Sequence, residues 1–420
     1  MKFQSPRGTR DILPEAQPAW QFVLDTCREV AAQLQYQTIT VPTYEEVGLF
    51  QRSIGGGTDI IDKELFLVAG HKDEDGHYAL RPEGTAGIVR AFVQHGMHTW
   101  PQPVKLATVV NNFRYERPQK GRYREHVQFD VEYFGDLTPF ADAYVILTFW
   151  QIIRKLGIPG VSLSLNSLGT SEERASYIEA LRGHLESRRD QLSEDSQRRL
   201  ESNPLRILDS KVGSDQALLN DAPQLADFLG EESRAHIEAV KTYLEAWNIP
   251  YAMNPRLVRG LDYYCHTCFE WVYAGPDGVA PSLGGGGRYD KLISQLDGPE
   301  TGAVGAGLGL DRIVEIITDL GLALPAPKPS AYLVLAEPEL REQGTVLLQT
   351  LVEAGIPITA DFSKISFGSQ MKAAGRSAKL AVILGGQEAA DHTLTVKNLE
   401  DGSQETVPAG EIVEVLRKQL

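Results

Sequence analysis

The sequence is poor in cysteine, in long apolar runs and in basic charge. Three cysteines in 420 residues are too few for a disulfide framework, and the polar N-terminus has no secretory leader, so we predict a protein of the reducing cytoplasm. No apolar run is long enough to cross a bilayer, and we expect no membrane contact. Acidic residues outnumber Lys and Arg by 56 to 41, giving a formal net charge of −15. That balance argues against non-specific binding of nucleic acid, so any such contact must come from local basic patches.

Two common ways of holding a phosphate or a metal ion are also missing. The chain has no G-x-x-x-x-G-K-[ST] loop, and its glycine clusters at 284–287 and 302–309 do not complete G-x-G-x-x-G. A bound phosphate would then have to be held by arginine side chains, whose planar forks suit phosphate oxygens. Cys265 and Cys268 have metal-ligand spacing, but a structural zinc ion needs four ligands and only Cys27 remains. We therefore predict no structural metal.

The segment from Asn112 to Gly135 has the pattern of a β-hairpin. Residues 128, 130 and 132 are polar while 129, 131 and 133 are apolar, the alternation of a strand with one buried face. The first strand would place Arg114 and Glu116 on one face, and Pro118 and Gly121 supply turn chemistry between the strands. The span also contains five cations: Arg114, Arg117, Lys120, Arg122 and Arg124. This arrangement could bind a polyphosphate beside a small polar substrate; a solvated hairpin with ion pairs is the alternative.

A further polar group is predicted where a strand meets a helix. Residues 78–81 form a strand pattern that breaks at Pro82, and Thr85 can cap the helix that follows. Glu83 would lie at this junction. An acid there either faces a ligand or interacts with the helix dipole.

A strand pattern returns at residues 256–271 and again in a glycine-rich segment. Arg259 and Tyr264 have opposite parity on a regular strand, so both can face one cavity only if Gly260 marks a bulge or bend. Glycines at 305, 307 and 309 indicate a strand against which another group packs closely, with Arg312 opening the next helix.

Changes in composition and in the pattern of apolar residues divide the chain into domains. A helix is predicted over residues 14–35, followed by a strand ended by Pro42. Residues 171–247 are charged and helical, and we interpret them as an insertion that forms a solvated cover; partner binding is the alternative. A linker rich in Pro and Ala at 323–330 separates residues 1–325 from residues 326–420, whose alternating strands and helices predict a small α/β domain.

One stretch of the second domain is basic. No acid lies between Phe362 and Gln387, and Lys372, Arg376 and Lys379 follow one another at helical spacing. Their common face could contact RNA. A solvated helix face is the alternative.

Several of these segments resemble the motifs of one family. FRYE at 113–116 resembles motif 2 of the class II aminoacyl-tRNA synthetases, residues 305–312 resemble motif 3, and the segment ending at Pro42 resembles motif 1. LVRGLDYY at 257–264 resembles the signature peptide of the histidyl-tRNA synthetases, and LRPEGTA, RPQKGRYR and GGRYD agree with it. The resemblance runs essentially end to end. It implies an α+β fold: a class II antiparallel-sheet catalytic domain with a helical insertion, and a C-terminal α/β anticodon-binding domain.

The resemblance also implies roles for individual residues. Arg114 and Arg259 would be catalytic, holding the ATP α-phosphate from opposite sides. The histidine-binding residues would be Glu83, Thr85, Gln128, Glu132, Arg259, Tyr263 and Tyr264. The ATP-binding residues would be Arg114, Glu116, Arg122, His126 and Arg312. His126 departs from the Phe that the family usually has against adenine, so its protonation would matter for stacking.

The implied reaction is the ligation of histidine to tRNA(His). ATP, with Mg²⁺, would be the substrate that activates L-histidine as an adenylate; the tRNA would then take the aminoacyl group, with Lys372, Arg376 and Lys379 as candidate tRNA contacts. The family resemblance further implies a homodimer. The alternative is a non-catalytic regulatory paralogue that serves the ATP phosphoribosyltransferase of histidine biosynthesis. Such paralogues typically lack the C-terminal domain and lose signature residues, whereas this chain has residues 331–420 together with Arg114, Arg259 and Arg312.

Overall fold

The computed structural model describes residues 3–55, 58, 60–69, 77–275, 281–325, 330–364 and 366–420. The chain forms two compact units, Met1–Leu324 and Pro325–Leu420. None of the helices within these described ranges is long and apolar enough to cross a membrane.

The first unit combines helices on both sides of an extended sheet. Its helices are α1 (Gln17–Gln33), α2 (Val47–Ile54), α3 (Thr85–Gln94), α4 (Pro139–Leu156), α5 (Ser171–Glu186), α6 (Glu194–Ser202), α7 (Gly213–Leu218), α8 (Glu231–Ala246), α9 (Leu292–Gln295) and α10 (Leu310–Asp319). Its strands are β1 (Gln37–Thr38), β2 (Tyr44–Glu46), β3 (Leu67–Val68), β4 (Tyr78–Leu80), β5 (Val104–Phe113), β6 (Glu125–Phe134), β7 (Val161–Ser167), β8 (Tyr251–Met253), β9 (Cys265–Tyr273), β10 (Ser282–Arg288) and β11 (Ala303–Gly309).

Among the described residues of this unit, eight strands form one sheet in the order β1-β5-β6-β11-β10-β9-β7-β8. The pairs from β5 to β7 are antiparallel, and only the short outer strands β1 and β8 pair in parallel. The strands β2, β4 and β3 form a separate small antiparallel sheet. The prediction of an α+β fold with a large antiparallel sheet is confirmed.

The β5–β6 hairpin buries the face that the alternation predicted. Phe129, Val131 and Tyr133 join a core that α1, α4 and α10 complete, so Gln128 and Glu132 must point the other way. The first strand ends earlier than predicted, at Phe113. Arg114 and Glu116 therefore belong to the connection, where the Arg114 amide donates to Arg124 O at 2.9 Å.

Close approach of β11 to β6 explains the glycine pattern. A Cβ at Gly305 would overlap the Glu132 carboxylate, and one at Gly307 would lie 2.5 Å from Asp130 Oδ1. The polar face of β6 thus keeps its long acids only because its neighbour has no side chains there.

The insertion is helical, as predicted, but it is not wholly a solvated cover. Helix α8 packs against α4 and contributes Ile237, Val240 and Leu244 to the main core. Helix α5 begins with a capping box, in which Thr170 and Glu173 exchange side-chain and backbone hydrogen bonds. The insertion is therefore anchored to the sheet through its last helix.

The second unit is a small α/β domain. Its elements are β12 (Ala331–Leu335), α11 (Arg341–Glu353), β13 (Ile358–Ala360), α12 (Phe367–Ser377), β14 (Leu380–Leu384), α13 (Gly386–Asp391), β15 (Thr393–Asn398), β16 (Gln404–Pro408) and α14 (Ile412–Gln419). In the described part of this unit the sheet order is β13-β12-β14-β15-β16, with the first three strands parallel. The alternation of strands and helices predicted from the sequence is present in this unit.

Candidate active site

An open cavity of about 550 Å³ lies over the polar face of the main sheet. Its walls come from β6, β10, β11, the connection after β5, the segment before β9, and residues 206–216 of the insertion. The predicted site residues that line it are Arg114, Glu116, Arg122, His126, Gln128, Arg259 and Arg312. Four guanidinium groups from three separate chain segments thus face one space, without a glycine-rich phosphate loop.

Backbone carbonyls and acids hold these arginines in place. Arg114 Nε donates to Pro82 O at 2.8 Å, and Arg259 Nη1 donates to Glu270 Oε1 at 3.0 Å. Arg312 donates to Ser282 O and, at 3.2 Å, to Gly121 O. Each guanidinium keeps further N–H groups, so positioning does not exhaust its capacity to bind an anion.

His126 reaches the cavity as a neutral imidazole. Burial, followed by the positive charge of Arg114, lowers its pKa to about 3. Its Nδ1 is buried and has no hydrogen-bond partner among the described residues. A neutral ring can stack on a planar base without adding charge to a site already rich in arginine.

Behind the cavity lies a buried acid cluster. The Glu83 carboxylate accepts the backbone N–H groups of Thr85 and Ala86 at 2.7 and 2.9 Å. Thr85 Oγ1 donates to Glu132 Oε1 at 2.6 Å, and the Tyr289 hydroxyl donates to Glu132 Oε2. Glu83 therefore does bind the start of α3, and the same group borders the predicted histidine pocket.

The acids of this cluster ionise with difficulty. Burial raises the pKa of Glu83, against the two backbone N–H groups that lower it. Burial also raises the pKa of Glu132 well above its usual range, although Thr85 and Tyr289 oppose the shift. Burial and then the neighbouring Glu83 raise the pKa of Asp130 to about 8. A cation entering the cluster would find acceptors whose own solvation has been removed.

Three tyrosine rings close the cluster on one side. Tyr263 packs against Tyr264 with ring centroids 4.6 Å apart and against Tyr289 at 5.4 Å. All three side chains are buried. The prediction that the segment carrying Tyr263 and Tyr264 begins as a strand at residue 256 is wrong, because residues 256–264 are irregular and β9 begins at Cys265. Contacts with the insertion hold that loop, including Asn203 Nδ2 to Asp262 Oδ1 at 3.1 Å.

The structure adds residues that the sequence patterns did not assign to the site. Tyr289 and Asp130 belong to the acid cluster, and Glu270 holds Arg259. Arg206, from the insertion, lines the same cavity. Tyr289 is the tyrosine of the GGRYD segment at 286–290, and Asp130 shares the parity of Gln128 and Glu132, so both had a signal in the sequence; Arg206 had none.

The cysteines do not form a metal site. Cys27, Cys265 and Cys268 are all buried and free. Within the described ranges, no group of three or more His, Cys, Asp or Glu side chains could hold a metal ion.

In the second unit, α12 presents Lys372 and Arg376 to solvent. The prediction that Lys379 shares their helical face is wrong, because α12 ends at Ser377. Lys379 instead donates its Nζ to Gln419 O at 2.7 Å. The basic helix therefore offers two of the three predicted cations.

Comparison with known proteins agrees with this architecture. The family model described as Histidyl-tRNA synthetase matches residues 8–313, and an anticodon binding domain model matches residues 330–419. The histidine–tRNA ligase of Thermosynechococcus vestitus is 42% identical over 98% of this chain and 96% of its own length. That of a Geobacillus species is 41% identical over the whole of both chains.

A solved structure of a protein of the same name is also similar to this chain. The apo histidyl-tRNA synthetase of S. aureus is 34% identical to this chain and superposes with a TM-score of 0.83, covering 99% of this chain and 100% of its own. These matches span both compact units as well as the insertion. The chain belongs to the histidyl-tRNA synthetase family.

Proposed function

We propose that the protein is an ATP-dependent histidine–tRNA ligase. The observation that carries the proposal is the cavity lined by Arg114, Arg122, Arg259 and Arg312, which adjoins a buried pocket built around Glu132. An arginine-rich space suits a polyphosphate, and a buried acid among tyrosines suits an imidazole. Full-length similarity to histidine–tRNA ligases supports the same function.

In the first step, the carboxylate of histidine attacks the α-phosphate of ATP, forming the adenylate and releasing pyrophosphate. Two anions must meet, so the main task of the protein is to neutralise the charge that develops. Arg114 and Arg259 perform this role in our proposal. Holding both substrates in line supplies much of the remaining rate enhancement.

Selection of histidine rests on the buried cluster. Glu132 would accept an imidazole N–H, while Tyr264 and Tyr263 would enclose the ring; Glu83, Thr85 and Gln128 would bind the amino and carboxylate groups. An amino acid without ring nitrogens would leave Glu132 buried and unpaired. Because a site built for hydrogen bonds strongly rejects an analogue that lacks them, discrimination can be large.

ATP binding would use the outer part of the cavity. His126 would stack on adenine beside Glu116, and Arg122 and Arg312 would hold the outer phosphates. Glu116 pairs with Arg122 at 3.6 Å, and Glu270 with Arg259 at 3.0 Å. These two carboxylates suit Mg²⁺, which usually binds to one or two acids together with substrate phosphates and water. Bound there, Mg²⁺ would neutralise phosphate charge.

The tRNA would be held by the second unit. A domain similar to anticodon-binding domains, with Lys372 and Arg376 exposed on α12, supports that role. The second step passes the aminoacyl group to the terminal ribose of tRNA(His) and requires no nucleophile from the protein. We place this reaction in the cytoplasm, where charged tRNA is used.

We also propose a homodimer. The small sheet of the first unit carries Tyr44 and Leu67, which are 55% and 72% exposed and would be covered in such an assembly. Light scattering of the purified protein should give twice the chain mass; a monomer mass would refute this part. A non-catalytic regulatory paralogue has less support, since this chain keeps both the arginine-lined cavity and a match to an anticodon-binding domain.

ATP–pyrophosphate exchange with each of the twenty amino acids tests the function directly. We expect exchange with L-histidine alone, because only imidazole satisfies Glu132. Adding tRNA(His) should then yield charged tRNA. Absence of histidine-dependent exchange, or exchange with another amino acid, would overturn the assignment.

A further inference from the structure

Asp130 is a buried carboxyl group on the polar face of β6. Its exposed fraction is 4%. Its Oδ1 is fully buried and accepts no hydrogen bond from the described residues. An unsatisfied carboxylate in such a place is strongly destabilising unless it is protonated or meets a cation. Neither the proposed adenylation step nor the hydrogen bonds of the fold account for this side chain.

Two glycines leave the space that Asp130 occupies. A Cβ at Gly84 would overlap Asp130 Oδ2, and a Cβ at Gly307 would lie 2.5 Å from Oδ1 and 3.1 Å from Gln128 Nε2. Gly307 and Gln128 both line the large cavity. Asp130 Oδ1 thus lies close to Gly307, beneath the surface of the cavity, and Gln128 beside it is a residue predicted to bind the amino acid. The space for the Asp130 carboxyl group therefore depends on glycines in two different chain segments.

The charged groups around Asp130 do not neutralise it directly. Arg81 lies in the β4–α3 connection. Its Nε donates to Asn111 O at 2.8 Å, and its Nη1 donates to Val41 O and Pro42 O, both at 2.9 Å. From the β5 connection, Arg114 Nε is held by Pro82 O. Both arginines act on Asp130 only through space.

Two further acids face Asp130. Glu83 lies beyond Gly84, and Glu132 lies on β6 with the same parity. The glycine strand β11 adds no charged side chain to this face. Three neighbouring carboxyls and two remote guanidiniums leave the cluster with more negative charge than it can hold when dry, so at least one carboxyl retains a proton.

We infer that Asp130 is the counter-charge of the α-ammonium group of histidine, holding a proton in the free protein and releasing it when the amino acid binds. The balance is simple: the carboxylic acid loses H⁺ to solvent, and the resulting carboxylate faces the incoming ammonium. The pKa of about 8 in the free protein agrees with this order of events. The inference rests on the proposed function, because it takes histidine as the ligand.

Calorimetry in two buffers of different ionisation enthalpy measures the released proton. At pH 7 we expect L-histidine to release between about half a proton and one proton per site. Histidinol, which keeps the ammonium but lacks the carboxylate, should do the same. Imidazole propionate lacks the ammonium and should release none. The dissociation constant of L-histidine should fall as pH rises from 6 to 8, by about tenfold per unit at most.

The variant Asp130→Asn replaces the protonated acid by a neutral group of the same shape. We expect it to lose proton release and to bind histidine at least about tenfold more weakly at pH 8. Glu125→Gln, on the same strand but partly exposed and bonded to Asn111, is the matched control and should behave as the parent protein.

Two results would overturn the inference: histidine binding to the parent protein without proton release, or release that persists in Asp130→Asn. Proton release on binding of imidazole propionate would also overturn it, because binding of the ring, without an ammonium group, would then be sufficient to release the proton. Should Asp130→Asn fail to fold, the three ligands on the parent protein still decide. Failure of the proposed function is separate: it would appear as absence of histidine-dependent pyrophosphate exchange in the parent protein.

Discussion

Two nitrogens of the Arg259 guanidinium group have different surroundings. One terminal nitrogen, Nη1, donates to Glu270 Oε1 at 3.0 Å, while Nε is buried with no partner among the described residues. The first contact fixes the position of the guanidinium. The second leaves a donor that a substrate oxygen can satisfy, which costs nothing in reorganisation when charge develops.

Replacing Arg259 by Ala should therefore slow histidine-dependent pyrophosphate exchange by about 10²- to 10³-fold or more, the usual cost of losing a pre-placed donor. Thermal melting should change little, since the side chain lies at the edge of an open cavity. Arg198→Ala, which removes an exposed ion pair with Asp195, is the control. Near-normal exchange by Arg259→Ala would remove this residue from the mechanism.

His126 shows a residue whose chemistry needed the structure. The sequence alone left its protonation open, because an exposed imidazole titrates near neutral pH. Burial among arginines settles the matter: with a pKa of about 3, the ring is neutral throughout the physiological range. The family resemblance implies a Phe at this position, and neutral His126 offers an uncharged ring as well.

At the scale of elements, the pairing of β11 with β6 determines the shape of the proposed histidine pocket. Gly305 lies directly opposite Glu132 in the register, and a Cβ there would overlap the Glu132 carboxylate. Glu132 is fully buried, and its two carboxylate oxygens accept hydrogen bonds from Thr85 and Tyr289, so displacing it would disturb both contacts.

Gly305→Ala should accordingly raise the KM for histidine by at least about tenfold while the KM for ATP changes little, because the outer arginines are untouched. Steady-state exchange kinetics separate the two constants. Gly183→Ala serves as the control, since nothing lies within 4 Å of its added Cβ in α5; it should leave both constants unchanged. Equal effects on both substrates would argue for general disruption of the sheet instead.

Two segments, β6 and residues 257–264, show how much of the local structure a sequence pattern can predict. The polar and apolar faces of β6 follow from strict alternation, and Phe129, Val131 and Tyr133 are buried as predicted. Residues 257–264 carry a similar mixture of apolar and polar side chains yet form a loop. Its course depends on partners distant in sequence, such as Asn203 for Asp262 and Arg174 for Tyr264 O, which periodicity cannot indicate.

The same limit applies to the basic helix and to the insertion. Helical spacing placed Lys379 beside Arg376, but the helix stops at Ser377 and the chain turns into β14. The approach of Arg206 to the cavity likewise depends on how the insertion packs, which its charged composition does not reveal. Alternation and spacing describe one element at a time, whereas a site is assembled from several.

For the whole molecule, an acidic chain must bind two polyanions. A formal net charge of −15 repels nucleic acid at long range. The cations nevertheless cluster in two places: arginines line the cavity of the first unit, and Lys372 and Arg376 are exposed on α12 of the second. Under the proposed function, these are the places where phosphate binds. Binding of tRNA should then depend on a few discrete contacts and on both units together.

The two units have separate cores, and this allows their roles to be separated. The buried residues of the second unit, such as Leu333, Leu351 and Val382, form clusters with members of that unit alone. Every residue proposed to bind histidine or ATP lies in the first unit. A chain ending at Pro325 should therefore retain histidine-dependent pyrophosphate exchange within about threefold of the full-length rate, while charging of tRNA(His) should fall by about a hundredfold or more through weakened tRNA binding.

A full-length Lys372→Ala, Arg376→Ala double variant is the companion to this truncation. It preserves the domain and removes only the exposed cations, so exchange should be unchanged and the KM for tRNA should rise, more steeply at higher salt. If the truncated chain charges tRNA normally, the second unit does not hold the tRNA, and the acceptor end alone provides the affinity. If truncation cripples charging but the double variant does not, the domain binds tRNA through a surface other than α12.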